Sequence, residues 1–290
     1  MNNYIWLVRR EFWENRAIWV IPLAIGAFMV LCALFGRADL MVVSSQALGR
    51  TAGQAFLGAV GATFFTVMSI YAAWYLLDCL YADRKDRSVL FWKSLPISDA
   101  ATVLSKLATA VIVIPLVYFA AADLTTLLVA FIISVRAGSL VSGALWQASL
   151  WLQIQALWLY LILTTAVWYL PVTAYLLLIS SWAKRAVTLW SILPPLALIL
   201  GERWFFGTRV IAHQLGVRLF GYTEAAFNAN LASWASAAAA DSDAIRTPAD
   251  IWSFVDFAGF FSSMATWAGV AVGIALIIGS IQLRMRRTEI

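Results

Sequence analysis

Long runs without charged residues dominate the pattern of hydrophobic and polar positions along the chain. Six such runs alternate with short segments in which the charged residues cluster. The longest extends over residues 137–183, and the third, 107–135, contains a single charge, Asp123. A helix needs roughly 20 apolar residues to cross a bilayer core of about 30 Å. The pattern therefore predicts an all-α polytopic membrane protein.

The fourth run is long enough for two short helices, so its interpretation decides the topology. Lys and Arg accumulate on the cytoplasmic side of membrane proteins. A single helix, kinked where Pro171 removes a backbone hydrogen bond, puts 13 of the 20 Lys and Arg residues on one side. Two helices would instead move the basic residues 284–287 outside. We therefore expect cytoplasmic termini and six transmembrane helices, at residues 17–36, 56–80, 107–135, 145–181, 186–206 and 257–283.

The segments between these spans complete a single transmembrane domain, residues 1–290. Residues 1–16 place Tyr4, Val8 and Phe12 at helical spacing among charges, which predicts an interfacial amphipathic helix; a frayed charged tail is the alternative. Residues 81–106 form the only sizeable cytoplasmic loop, and residues 207–256 form an external segment.

Composition supports a lipid environment and argues against other classes of protein. The chain is 63% hydrophobic and 12% charged, about half the charged fraction of a soluble domain. Its net charge of +5 comes from clusters between apolar runs, so we expect no nucleic-acid partner. Cys32, Cys79 and the single His213 are too few for a metal site, and we expect no disulfide.

Sequence motifs of enzymes are missing. The chain has no HExxH, CxxC or GxSxG motif, and His213 reads as an ordinary interfacial residue. None of the four lysines follows a glycine, so a GxxxxGK[ST] phosphate loop is excluded. We expect no catalytic site in this chain; if ATP is used, another chain binds it.

The cytoplasmic loop contains a short apolar stretch that cannot span a membrane. Val89-Leu90-Phe91-Trp92 lies between a cluster of charges and Pro96. This pattern predicts a short amphipathic helix that presents aromatic side chains, either to a protein partner or to the bilayer surface. Pro96 ends it, and Ser98 is then expected to cap the next helix, with Asp99 favourable in its first turn.

The order of these elements resembles the type-2 ABC exporter permease family over essentially the whole chain. The local resemblance covers about 25 residues: Asp83-Arg84-Lys85-Asp86-Arg87, then Leu95-Pro96-Ile97-Ser98, then Lys106. Where Glu-Arg-Glu-x-Gly-Thr is commoner in that family, this chain has Asp-Arg-Lys-Asp-Arg, which keeps the charged character.

The resemblance implies that the short helix is a coupling helix docking on a separate ABC ATPase, which would bind ATP and Mg²⁺. It further implies a second permease chain, a place in the bacterial inner membrane, and re-entrant helices in the external segment. The residues expected to couple to the ATPase are Arg84, Arg87, Val89, Leu90, Phe91, Trp92 and Leu95, the aromatic pair anchoring and the arginines steering.

Two ionisable residues at membrane depth are candidates for a substrate path. Asp123 would cost about 2.5–3.5 kcal/mol at the bilayer centre, so we expect it to face protein or water, either lining the path or holding helices together. Glu202 follows Pro194-Pro195, which we expect to break the fifth span. An ion pair with Arg203 that caps the helix end is favoured there over contact with substrate.

The sixth span carries small residues at four-residue spacing, Ala265, Gly269 and Gly273. Such a stripe permits close approach of another helix, in this chain or in a second copy. Two functions other than export remain open: an intramembrane hydrolase or protease, for which one Asp without a catalytic partner is poor support, and a permease-like sensor or assembly subunit that moves no substrate.

Overall fold

The computed structural model describes residues 3–36, 50–85, 98–137, 146, 148–228 and 251–286. These residues are almost entirely helical, and their only β-type pairing is an isolated bridge between Phe227 and Val255. The helices are α1 Asn3–Glu14, α2 Ala17–Phe35, α3 Arg50–Lys85, α4 Asp99–Ala108, α5 Ile114–Ala137, α6 Ala148–Trp168, α7 Leu170–Trp182, α8 Val187–Gly201, α9 Val210–Phe220, α10 Tyr222–Ala226, α11 Phe257–Ser262 and α12 Met264–Arg286.

Short irregular turns connect some of these helices without reversing the chain. A π-helical turn, Thr109–Val113, joins α4 to α5, so that Asp99–Arg136 reads as one long helix. A second π-helical turn, Glu202–Phe206, extends α8, and a 3₁₀ turn, Ile251–Phe254, precedes α11.

The described residues form an all-α bundle of the kind found in membrane proteins. Five helices are long and apolar enough to cross a bilayer: Ala17–Phe35, Gly58–Lys85, Asp99–Arg136, Trp151–Trp168 and Met264–Arg286. Large apolar side chains also cover the outside of the bundle, among them Phe28, Ile70, Phe131 and Leu152. A water-soluble protein rarely exposes so continuous an apolar surface, whereas lipid accommodates it.

The core lies where α2, α3, α5 and α7 meet. Ile18, Phe64, Leu76, Tyr118 and Leu177 are fully enclosed there. Small side chains let the helices approach, since a Cβ on Gly26 in α2 would overlap Thr125 Oγ1 in α5. α7 in turn packs along α12.

The long fourth hydrophobic run, predicted as one helix kinked at Pro171, consists of two helical segments. The interruption falls at Tyr169, and Pro171 lies in the first turn of α7. The expected break at Pro194-Pro195 is wrong, because both prolines lie inside α8. A proline removes one backbone hydrogen bond in the turn that precedes it. Transmembrane helices tolerate this loss because neighbouring groups satisfy the freed backbone atoms.

Contacts between distant residues define the two ends of the bundle. At one end, side chains of Glu11, Asp83, Lys106 and Arg284 meet, and Arg84 reaches the end of α7. We call this the network end. At the other end, Arg136 donates hydrogen bonds to the carbonyls of Ala33, at 2.5 Å, and Gly36, at 3.0 Å. α4 therefore starts at the network end, where α3, α7 and α12 finish.

Candidate functional site

Lys106 is the centre of a buried group of charges at the network end. Its Nζ lies 3.0 Å from Glu11 Oε1 and 3.3 Å from Asp83 Oδ1, although the three residues belong to α4, α1 and α3. All three are buried. Lys106 lies on the buried face of α4, so its ammonium group must be neutralised by carboxylates.

Arg284, near the end of α12, extends this group to the start of α4. Its Nη1 lies 3.3 Å from Asp83 Oδ2, and its Nε donates to Asp99 Oδ1 at 3.0 Å. Asp99 is positioned by the helix start that the sequence predicts. The Ser98 side chain accepts a hydrogen bond from the amide of Ala101 at 3.1 Å and caps α4.

The second carboxylate oxygen of Glu11 is also satisfied, and the first has an additional partner. Tyr75 donates its hydroxyl to Glu11 Oε2 at 2.8 Å, and Arg10 Nη2 lies 3.3 Å from Glu11 Oε1. The network therefore balances three carboxylates against three cations: Glu11, Asp83, Asp99, Arg10, Lys106 and Arg284. Buried charges offset their desolvation only when they are paired and hydrogen-bonded in this way.

The network brings together the two ends of a segment that carries most of the predicted coupling residues. Asp83 lies just before residues 86–97 and Asp99 just after them, and both carboxylates bind Arg284. The predicted coupling residues Arg87, Val89, Leu90, Phe91, Trp92 and Leu95 lie outside the described residues.

Arg84, one of the residues predicted to couple to the ATPase, contacts the end of α7. Its side chain is buried, and its Nη2 donates hydrogen bonds to the carbonyl oxygens of Ser180, at 2.5 Å, and Ala183, at 2.8 Å. These carbonyls end α7, where a cation is favourable at the negative end of the helix. Arg84 therefore ties α3 to α7, and its role in steering a partner stays a prediction.

A groove of about 550 Å³ opens beside the network, between α1 and α3. Its floor contains Glu11, Tyr75, Cys79, Asp83 and Lys106. Cys79 is buried and Cys32 is exposed, and the thiols of both residues are free. The groove is large enough for a small molecule.

Asp123, the candidate of the substrate path, lies half-buried between α5 and α6. Gln155 Nε2 donates to Asp123 Oδ1 at 2.6 Å. A small pocket beside the pair is lined by Thr126, Trp151 and Trp158. The carboxylate has no ion pair within the described part of the chain, so the amide of Gln155 is what satisfies it.

Glu202 is a helix cap, and the expected ion pair with Arg203 is not formed among the residues that the structure describes. Its carboxylate accepts hydrogen bonds from Thr208 Oγ1 at 2.7 Å, Val210 N at 2.5 Å and Ile211 N at 2.8 Å. These are the first amides of α9, whose positive end favours a carboxylate. The buried Glu202 side chain thus fixes the start of α9. This contact does not support the predicted role of Glu202 in the substrate path.

The small residues of the sixth span meet other parts of this same chain. A Cβ on Gly269 would overlap the guanidinium of Arg218, and one on Gly273 would lie 2.8 Å from Cγ of Leu170. Arg218 lies over the ring of Trp168 at 4.5 Å, donates to the Ala265 carbonyl at 2.8 Å and accepts from Trp168 Nε1 with its own carbonyl at 3.0 Å. The stripe therefore lets α9 and the α6–α7 junction approach α12.

Aromatic packing holds the rest of the external segment that is described. Tyr222 hydrogen-bonds Thr164 at 2.7 Å between their hydroxyls, and Tyr160 donates to the carbonyl of Ala226. Burial raises the pKa of Tyr222, so its hydroxyl stays neutral. His213 is exposed on α9.

Sequence reasoning missed the buried network, although Asp83 and Lys106 both belong to the loop motif. Glu11, Tyr75 and Arg284 received no role, and Asp99 was assigned only to the first turn of α4. The available signal was the position of these charges on apolar helix faces, but their partners lie up to 201 residues away in sequence. Comparisons of the chain with protein-family models, curated proteins and solved structures found no match.

Proposed function

We propose that this chain is the transmembrane subunit of an ATP-driven exporter of the type-2 ABC class. In this proposal it crosses the bacterial inner membrane six times, with both termini cytoplasmic, and pairs with a second permease chain. A separate ABC ATPase binds ATP and Mg²⁺, and the permease chain forms the substrate path.

The bridge that Arg284 makes between Asp83 and Asp99 carries this proposal. An ATPase that moves residues 86–97 must pass that movement to the spans. Arg284 of α12 binds Asp83 and Asp99, the carboxylates on either side of the segment. Lys106 links Asp83 to Glu11 of α1. A displacement of the segment would therefore reach α1, α3, α4 and α12 together, because a buried ionic group resists separation of its members.

The composition of the segment itself suits docking on a protein. It places Phe91 and Trp92 between Arg87 and Lys93. Buried aromatic anchors dominate many protein interfaces, while rim charges steer association. This division of roles assigns affinity to the aromatic pair and orientation to Arg87 and Lys93.

The basic residues at the network end support the proposed orientation. The network end gathers the helix ends next to residues 9–16, 84–106, 184–185 and 284–287, which together hold 13 of the 20 Lys and Arg residues. Such a basic end is the cytoplasmic one in most membrane proteins. An ATPase in the cytoplasm would thus meet the end at which residues 86–97 begin and end.

Purification of the full-length chain from its native membranes tests the proposal. We expect it to co-purify in stoichiometric amount with a chain that contains a GxxxxGK[ST] motif, and the complex should hydrolyse ATP. Replacing the lysine of that motif should abolish hydrolysis and leave the complex intact. A chain that purifies alone from such membranes, without ATPase activity, would contradict the proposal.

A further inference from the structure

The groove between α1 and α3 has two layers with different chemistry. On α3, Tyr71, Trp74, Tyr75 and Asp78 recur at three- and four-residue spacing, so they line one face of the helix. The facing wall includes Arg10, Glu11 and Glu14 of α1 and the adjacent Asn15. The floor is formed by the ion network, while Trp74, Asp78 and Glu14 are exposed at the rim.

The cations that line the groove already have carboxylate partners. Lys106 binds Glu11 and Asp83, and Arg10 Nε lies 3.0 Å from Glu14 Oε2. Asp78 differs, since it has neither a hydrogen bond nor an ion pair within the described ranges. The lining holds four carboxylates and two cations, so it carries an excess of negative charge.

Aromatic side chains stand beside the Asp78 carboxylate. Trp74 precedes Asp78 by one helical turn and is 65% exposed, and Tyr71 lies on the same wall. The faces of such rings attract cations. Ile70, one helical turn before Trp74, is also exposed and continues the apolar surface of α3. An occupant that satisfies all these features carries one positive charge on an apolar body.

We propose that the α1–α3 groove is a binding site for lipophilic monocations, such as a quaternary ammonium or phosphonium centre shielded by apolar groups. The cationic centre lies between Asp78 and the ring of Trp74, and the apolar body extends over Tyr71 towards the lipid-facing surface. An anion is disfavoured because every cation of the lining is already held by a carboxylate. The site needs no ATPase, and so it goes beyond the proposed function.

The probe for this site is tetraphenylphosphonium, and the matched control ligand is tetraphenylborate, which has nearly the same shape and the opposite charge. Binding is measured by equilibrium dialysis of the purified full-length chain in a nonionic detergent. We expect saturable binding of the cation and none of the anion beyond its partition into empty micelles. Raising the salt concentration should weaken cation binding, because rim charges are screened.

Two substitutions at exposed positions separate the site from non-specific uptake. Asp78→Asn and Trp74→Ala should each weaken cation binding about fivefold, the effect expected for an exposed ion pair or cation–π contact. Glu224→Gln and Trp204→Ala remove a similar carboxylate and ring from exposed positions elsewhere. These controls should bind the probe as the unaltered chain does.

The proposal is overturned if the anion binds as well as the cation, or if the rim variants bind the cation unchanged while eluting as folded protein on size exclusion. A loss of binding in the two control variants equal to that in the rim variants would also overturn it. Since the measurement uses this chain alone, its failure would leave the proposed partnership with an ATPase unaffected.

Discussion

Arg284 Nη1 lies 3.3 Å from Asp83 Oδ2, although 201 positions separate the two residues in the chain. The same guanidinium binds Asp99, so one side chain near the end of α12 holds the residues on both sides of 86–97. Ion pairs therefore connect the residues on both sides of 86–97 to α12.

Removing the centre of the network should destabilise the protein. Lys106→Met leaves Glu11 and Asp83 short of a cation in a buried place, which costs about 3 kcal/mol. We expect a clearly lower melting temperature in detergent for this variant. Lys184→Met serves as the control, because Lys184 is exposed near the same end of the bundle.

A second substitution distinguishes charge imbalance from lost packing. Glu11→Gln combined with Lys106→Met removes one charge of each sign, so the double variant should recover part of the stability that Lys106→Met loses. Equal melting temperatures for Lys106→Met and Lys184→Met would show that the network contributes nothing to stability.

Gly269→Ala should destabilise the packing of α9 against α12. The added methyl group would displace the Arg218 guanidinium from Trp168 and Ala265, at a cost of about 1–3 kcal/mol. Gly216→Ala is the matched control, since a Cβ there meets no atom within 4 Å. In thermal unfolding, Gly269→Ala should melt lower than Gly216→Ala; the same melting temperature for both would contradict the close approach.

The carboxylate of Asp123 should be replaceable by an amide. Asp123→Asn keeps an oxygen that accepts from Gln155, whereas Asp123→Leu leaves the Gln155 amide unpaired and costs about 1–3 kcal/mol. We expect only the Leu variant to lose melting temperature. If Asp123 lines the path, the Asn variant also loses substrate-stimulated ATPase activity in the assembled complex. Unchanged stability and transport in both variants would leave Asp123 with neither role.

Reporter fusions test the proposed orientation. Fusions after Arg287 and at Asp241 should report opposite sides of the membrane, because the predicted topology places the first position in the cytoplasm and the second outside. Reports from the same side would exclude the six-span arrangement.

Local features of the fold could be predicted from the sequence, and the network could not. The predicted cap at Ser98 is confirmed by the hydrogen bond from the Ala101 amide. Such a cap can be predicted because its donor and acceptor are only a few residues apart in sequence. The apolar run that forms the helix Ala17–Phe35 could likewise be recognised from the sequence alone. Glu202 shows where such prediction ends. Its carboxylate was expected to pair with the adjacent Arg203, but it caps the start of α9. The chain must turn after residue 206 for this contact to form.

Arg84 and Lys106 illustrate why charge alone does not reveal a role. Both lie near the basic loop, and the sequence predicts a steering role for Arg84. In the folded chain Arg84 caps α7 and Lys106 neutralises two carboxylates. Which partner each cation finds depends on how α1, α7 and α12 pack around α3 and α4, and periodicity does not specify that arrangement.

The central claim is that residues 86–97 dock this chain on an ATPase, and one measurement tests it directly. Phe91→Ala with Trp92→Ala should leave the chain inserted and folded but weaken its binding to the co-purified ATPase at least tenfold, equivalent to about 1.4 kcal/mol. Charge reversal at Arg87 should have a smaller effect that diminishes at high salt. The assay is titration of the detergent-purified chain with the ATPase at two salt concentrations. Full retention of the ATPase by the double alanine variant would contradict the account, and the segment would then be a helix that lies on the bilayer.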